Sequence, residues 1–284
     1  MTADGPAAGR VVAFSPGRAW LVAQSTLRDA MRQRMLAAVV LMAMALVAGA
    51  QWLRAFNFGS SELKLIADFG WGTMAFFGGV LTIAAGAQLL LGEIESRAIA
   101  TVLAKPVRRS EFVVGKWLAL AVIAGTFCAI LTGVLAAVLG AREAALAAEY
   151  PEALGGGVRT TAAALGAAAL VQWLKLVLLA ALVLLLASFA RSQVFVITTG
   201  VLVWVICELQ YVAHEAAARG GAGFARGLAE FIGLILPDFQ RFELIAEPGG
   251  AVDGERLLRL ALYAAGYVVV AGALTVLSFR RREI

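Results

Sequence analysis

The residues of this chain whose types and spacing could do chemistry are suited to ion pairs and contacts, not to bond-making. Glu93 and Arg97 stand one helical turn apart in acid-then-base order, the favourable order for a helical pair. They belong to a charged island at 92–116, GEIESRAIATVLAKPVRRSEFVVGK, set between two long apolar stretches. Within it Ile94, Ala98 and Val102 fall on one helical stripe, with Ile99 and Leu103 beside it. Pro106 ends that short helix near Lys105, because the residue before a proline is pushed out of the α region. Ser110 and Glu111 offer an N-cap and a first-turn acid for the helix that follows. A segment too charged for lipid and too patterned for a slack linker is a surface built for something to press on.

Lys175 is the conspicuous charge inside an apolar run, with Gln172 one turn before it. It stands roughly 24 Å along a helix from Arg191, which puts it in the outer half of a hydrocarbon core about 30 Å thick. Two readings follow. Gln172 and Lys175 line a translocation path, with Glu208 as a partner acid, or the lysine stem snorkels to the headgroups beside Trp173.

Other chemistry is missing. No G-x-x-x-x-G-K-[ST] phosphate loop occurs, and Gly115-Lys116 is followed by Trp117 and not by the hydroxyl that would hold Mg²⁺. H-E-x-x-H, C-x-x-C and G-x-S-x-G are absent as well. His214, the one histidine, has no second ligand in view, so no metal site is expected. No catalytic residue is expected either, and an energised function would need a partner chain.

The elements that must hold these residues are membrane helices. The chain is 61% hydrophobic and 15% charged, with a mean hydropathy of +0.86, whereas soluble domains are about a quarter charged. Apolar runs long enough to cross a bilayer lie at 35–53, 70–91, 113–140, 162–189, 194–212 and 260–279. The fold class is therefore all-α and polytopic, with six transmembrane helices in a domain spanning 35–284. Residues 1–15 read as a disordered start and 16–34 as an amphipathic interfacial helix, with Trp20 and Leu21 set against Arg18, Arg28 and Arg32. The first 34 residues lack the apolar core of a cleavable signal, so the first span is expected to act as an uncleaved anchor. At 213–259 a long loop carries an apolar stretch, 228–236, too short to span and therefore re-entrant or interfacial. Cys128 and Cys207 fall inside spans and read as packed thiols. Gly78, Thr82 and Gly86, four residues apart, let another helix approach, within the subunit or from a second one.

Orientation follows from the basic residues. With a cytoplasmic N-terminus, the inner segments gather Arg10, Arg18, Arg28, Arg32, Arg34, the bases of the island, Arg191, and Arg280 to Arg282. Both termini are then cytoplasmic. The net charge of +5 reflects topology and calls for no nucleic acid.

These residues together resemble a known family. The island is similar to the loop between the second and third helices of type-2 ABC exporter permeases: Gly92-Glu93, then Glu95-Ser96-Arg97, then Lys105-Pro106-Val107-Arg108-Arg109-Ser110-Glu111, and finally Gly115-Lys116. The resemblance extends to the entry helix around Leu27-Arg28-Asp29, to Leu236-Pro237-Asp238-Phe239, and to the closing Phe279-Arg280-Arg281-Arg282-Glu283. The subfamily it most resembles is the one named for multi-copper enzyme maturation. The resemblance implies the permease subunit of a bacterial inner-membrane exporter, working as a homodimer or with a paralogue and driven by a dimer of separate cytoplasmic ATPases. The island would be the coupling helix, with Glu93, Glu95, Arg97, Lys105, Pro106, Arg108 and Arg109 as docking contacts. No cofactor is expected on this chain; ATP and Mg²⁺ would sit on the partner ATPase, and membrane lipids would surround the subunit. Two other functions fit the sequence: transmission of force to a periplasmic protein through 213–259, and ion-coupled secondary transport by this chain alone.

Overall fold

In a computed structural model, the described residues are 15–50, 62–95, 109–149, 161–218, 235–242 and 254–281, together with Gly227 and Gly233. Seven α-helices follow in order: α1 (Pro16–Met31), α2 (Arg34–Gly49), α3 (Glu62–Glu95), α4 (Arg109–Glu149), α5 (Ala162–Phe189), α6 (Gln193–Ala218) and α7 (Gly254–Arg281). A 3₁₀ turn, Phe239–Phe242, precedes α7. No strand occurs among the described residues. Five helices, α3 to α7, are long and apolar enough to cross a membrane, and the bent pair α1 and α2 would make a sixth. The protein is thus an all-α, polytopic membrane protein.

Helix α5 is the centre. It is apolar all round, as a helix buried on every side must be, and Leu176 to Leu184 are covered along its length. It touches α3, α4, α6 and α7. The membrane-crossing window of α3 is 78% buried, against 22% for α6 and for α7, so those two form the outer wall. The α3–α5 contact depends on the glycine stripe. A Cβ at Gly78 would lie 2.7 Å from Leu176, and one at Gly86 would lie 2.6 Å from Val183. The stripe therefore serves packing within the chain. Thr82, between the two glycines, is buried and its Oγ1 has no hydrogen-bond partner among the described residues.

Indole N–H groups clamp α4 to α5 in both directions. Trp117 Nε1 donates to the Val177 carbonyl at 3.3 Å and Trp173 Nε1 to the Ala121 carbonyl at 2.8 Å. Helix α4, at 41 residues, is roughly 60 Å long and exceeds the hydrocarbon core about twofold. Its extension, longer than the expected 113–140, is held to the start of α3 by a bidentate pair, Arg142 Nε and Nη2 on the two Glu62 carboxylate oxygens at 2.7 and 2.9 Å. Gly92, near the end of α3, lies beside Gln193 at the start of α6, so the ends facing the island share one side of the molecule.

Helix α1 meets α2 at 68°. It runs along the first part of α4 and buries Ala19, Ala23, Thr26 and Ala30, leaving Trp20, Leu21 and Met31 exposed. The face that packs on protein is thus the small-residue face, joined by Val22, and Trp20, Leu21 and Met31 point outward.

Candidate functional site

Two polar nodes stand in this apolar frame. The first joins α1 to α4 beside the island. Helix α4 begins at Arg109, one residue before the expected cap Ser110, and carries Glu111 in its first turn. Glu111 is fully buried. Its Oε1 accepts the backbone N–H of Ser15 at 2.7 Å, and its Oε2 lies 3.6 Å from Arg18 Nη1. One carboxylate therefore sits at the N-terminal ends of two helices, where the unsatisfied N–H groups favour negative charge. One turn on, a Cβ at Gly115 would fall 2.7 Å from the Ala19 carbonyl oxygen and 2.7 Å from Val22 Cβ. Only glycine admits α1 this closely. Lys116, also buried, places Nζ 5.3 Å from the centre of the Phe112 ring. The Gly-Lys pair before the third span is thus where α1 docks.

The second node joins α5, α6 and the 3₁₀ turn. Lys175 Nζ lies 2.7 Å from Glu208 Oε1 and donates to Oε2 at 3.0 Å. Trp204 Nε1, one turn before Glu208, donates to Oε1 at 3.1 Å. The lysine head also lies 5.5 Å from the centre of the Phe239 ring. It does not snorkel: its side chain is 7% exposed, and Trp173 faces α4 instead of headgroups. The turn is sewn to the same place. Gln240 Nε2 donates to the Glu208 carbonyl at 3.3 Å, Gln210 Nε2 to the Leu236 carbonyl at 3.0 Å, and the Asp238 N–H to Tyr263 Oη at 3.0 Å. Phe239, Phe242, Tyr263 and Tyr267 continue as a chain of ring contacts into α7.

Of the residues singled out in the sequence, Lys175 and Glu208 are brought together. Gln172 is not joined to them: its Nε2 is buried with no hydrogen-bond partner among the described residues. Arg97, Lys105, Pro106 and Arg108 lie outside the described residues, as do the side chains of Glu93, Glu95, Arg109 and His214. So do residues 1–14, most of 213–259, and the closing Arg282 and Glu283. Sequence reasoning missed the role of Glu111 towards α1, and it missed Trp204, Gln210 and Gln240. The spacing of Trp204 and Glu208, four residues apart in an apolar helix, was the available signal for the second node. Cys128 and Cys207 are free and buried, and no cluster of metal-ligating groups occurs among the described residues.

A bundle of long apolar helices, bracketed by two polar nodes, defines an integral membrane protein. The family described as ABC-2 family transporter protein matches residues 20–284, and the chain belongs to that family. It is a permease component of an ABC transporter; such components are not themselves catalytic, and membership implies an ABC ATPase partner in general terms. Among curated proteins, none matches this chain.

Proposed function

We propose that this chain is the membrane subunit of an ATP-driven exporter, and that residues 92–116 receive the work of a separate ATPase. The observation that carries this is the α1–α4 joint. An ATPase can bias a membrane subunit only through differential contact with an element rigidly tied to its spans. The segment at issue runs from the end of α3 to the start of α4, and Glu111 and Gly115 lock that start to α1. Glu93, Glu95, Arg97, Lys105, Pro106, Arg108 and Arg109 are the proposed docking contacts. In this reading the α1 end faces the cytoplasm of a bacterial cell, both termini lie there, and two permease subunits assemble around a path to which Gln172 and Lys175 contribute. The test is co-purification with an ABC ATPase chain. Scrambling residues 93–104 is expected to abolish it; a scrambled chain that binds and stimulates the ATPase normally contradicts the assignment.

One observation favours a second reading, transmission of force to a protein on the far side. Residues 236–242 are bonded to α6 and α7 at several points, so movement of the helices would carry the loop with it. ATPase stimulation by such a protein, without any solute, would favour it.

A further inference from the structure

Between α5 and α7 an apolar groove of about 670 Å³ descends from the 235–242 segment along α7, over Leu182 and Leu185 and between Leu262, Val270 and Leu274. That volume is within the roughly 300–1,000 Å³ of small-ligand sites. Two features shape it. The first is Gly266, which lines the groove in mid-helix. A glycine there costs about 0.5–1 kcal/mol relative to alanine, and Gly78 and Gly86 recover that cost through close helix contact. Gly266 has no such neighbour: a Cβ added to it meets nothing within 4 Å. Its missing side chain widens the groove, and none of the described residues fills the space.

The second feature is the rim. Tyr263 and Tyr267 line the upper end, and the Arg241 guanidinium lies 5.3 Å from the centre of the Tyr263 ring. Arg241 is 62% exposed. Its Nε meets Asp238 Oδ2 at 3.4 Å, and no other hydrogen bond engages it among the described residues. Most of the guanidinium fork is therefore turned outward, and that fork matches phosphate oxygens two at a time. The height is right as well. Glu255, Arg256 and Arg259 occupy the first turns of α7, the apolar stretch begins at Leu260, and Tyr263 stands one turn below Arg259. Arg241 thus sits where α7 passes from charged to apolar, the level of lipid headgroups.

We infer that this groove is a binding site for one phospholipid, with an acyl chain lying over Gly266 and the phosphate on Arg241. The inference stands apart from the coupling proposal and does not depend on which partner drives the subunit.

The test uses the full chain purified in detergent and a phospholipid carrying a photoreactive diazirine on its acyl chain, with cross-linked peptides mapped by mass spectrometry. Label is expected on 262–274 and on Leu182 and Leu185. Gly266→Phe, which fills the groove, is expected to lower that labelling about tenfold. Gly266→Leu is the milder version if the larger side chain disturbs folding, with a smaller loss in the same direction. Arg241→Gln is expected to lower labelling by the phospholipid about tenfold and to leave labelling by a phosphate-free diacylglycerol probe unchanged. Labelling spread evenly over the exposed faces of α6 and α7, or indifferent to both Gly266 variants, overturns the site. Equal loss for both probes in Arg241→Gln overturns the phosphate assignment. Disulfide formation between two copies of Leu274→Cys would assign the groove to a second copy of the chain, and excess inorganic phosphate that displaced the probe would make the ligand free phosphate; either result overturns the lipid.

Discussion

The two polar nodes bury charge by different means: one joint is fixed by the shape of two helices, the other ties a loop segment to helices through bonds and rings. At the α1–α4 joint the contact is steric as much as electrostatic. Gly115 brings the backbone of α1 against α4, and Glu111 is fully buried at two helix N-termini. No small rearrangement offers Glu111 an equivalent place. At the Lys175–Glu208 node the ion pair joins two helix side chains, and Glu208 is 24% exposed. The 236–242 segment is held there by hydrogen bonds, which water can replace, and by the buried rings of Phe239 and Phe242, which it cannot. The joint beside the island is fixed by the fit of two helix backbones, and the second node carries the 236–242 segment with the helices to which it is bonded.

The largest effect should come from splitting the ion pair. Lys175→Met leaves Glu208 partly buried with only Trp204 and is expected to cost about 3 kcal/mol, read as a drop in thermal unfolding temperature in detergent. Glu208→Met alone should cost about as much. The double variant should recover most of the loss, because removing both charges leaves neither stranded. Unchanged transport and assembly in Lys175→Met would remove Lys175 from the translocation path.

At the fixed joint, Gly115→Leu drives a side chain into the Ala19 carbonyl and Val22. The expected cost is about 1–3 kcal/mol, with α1 displaced from α4. The sharper readout is limited proteolysis, which should cut within α1 in this variant and spare α1 in Lys175→Met. Equal protection in both would erase the contrast between the nodes. Glu111→Gln keeps the shape and removes the charge, and should cost about 1–2 kcal/mol through the weakened contacts to Ser15 and Arg18. The smallest effect belongs to Arg259→Ala. Arg259 pairs with Glu255 one turn away on the surface of α7, both well exposed, and its loss should change stability by less than about 0.5 kcal/mol.

What the sequence disclosed follows the physics of each region. Long apolar runs identify membrane helices because a bilayer offers no partner to an open backbone. The Gly78–Gly86 stripe signalled close approach but not its partner, since a small residue says that a neighbour comes near and not which one. Lys175 announced itself by being a charge in lipid, and Glu208 was nameable as its partner for the same reason. Glu111 did not announce itself. An acid in the first turn of a helix is ordinary, and only the approach of α1, permitted by Gly115, turns it into a link between helices distant in sequence. Gln210 and Gln240 were equally silent, because they bond to backbone carbonyls whose positions no side-chain pattern encodes. The extra length of α4 escaped for a related reason: Arg142 reads as the edge of a span until Glu62 is found across from it.

In the proposed coupling, work enters at the island end and not at the end that carries the 3₁₀ turn. The most direct measurement is cross-linking to the ATPase from a single cysteine placed at each end, Arg97→Cys or Arg241→Cys, in the assembled complex. The native Cys128 and Cys207 are buried and need no replacement. An ATPase adduct is expected from position 97, with a yield that changes with ATP, and none from position 241. An adduct from position 241, or none from position 97 in a complex that hydrolyses ATP, contradicts that coupling.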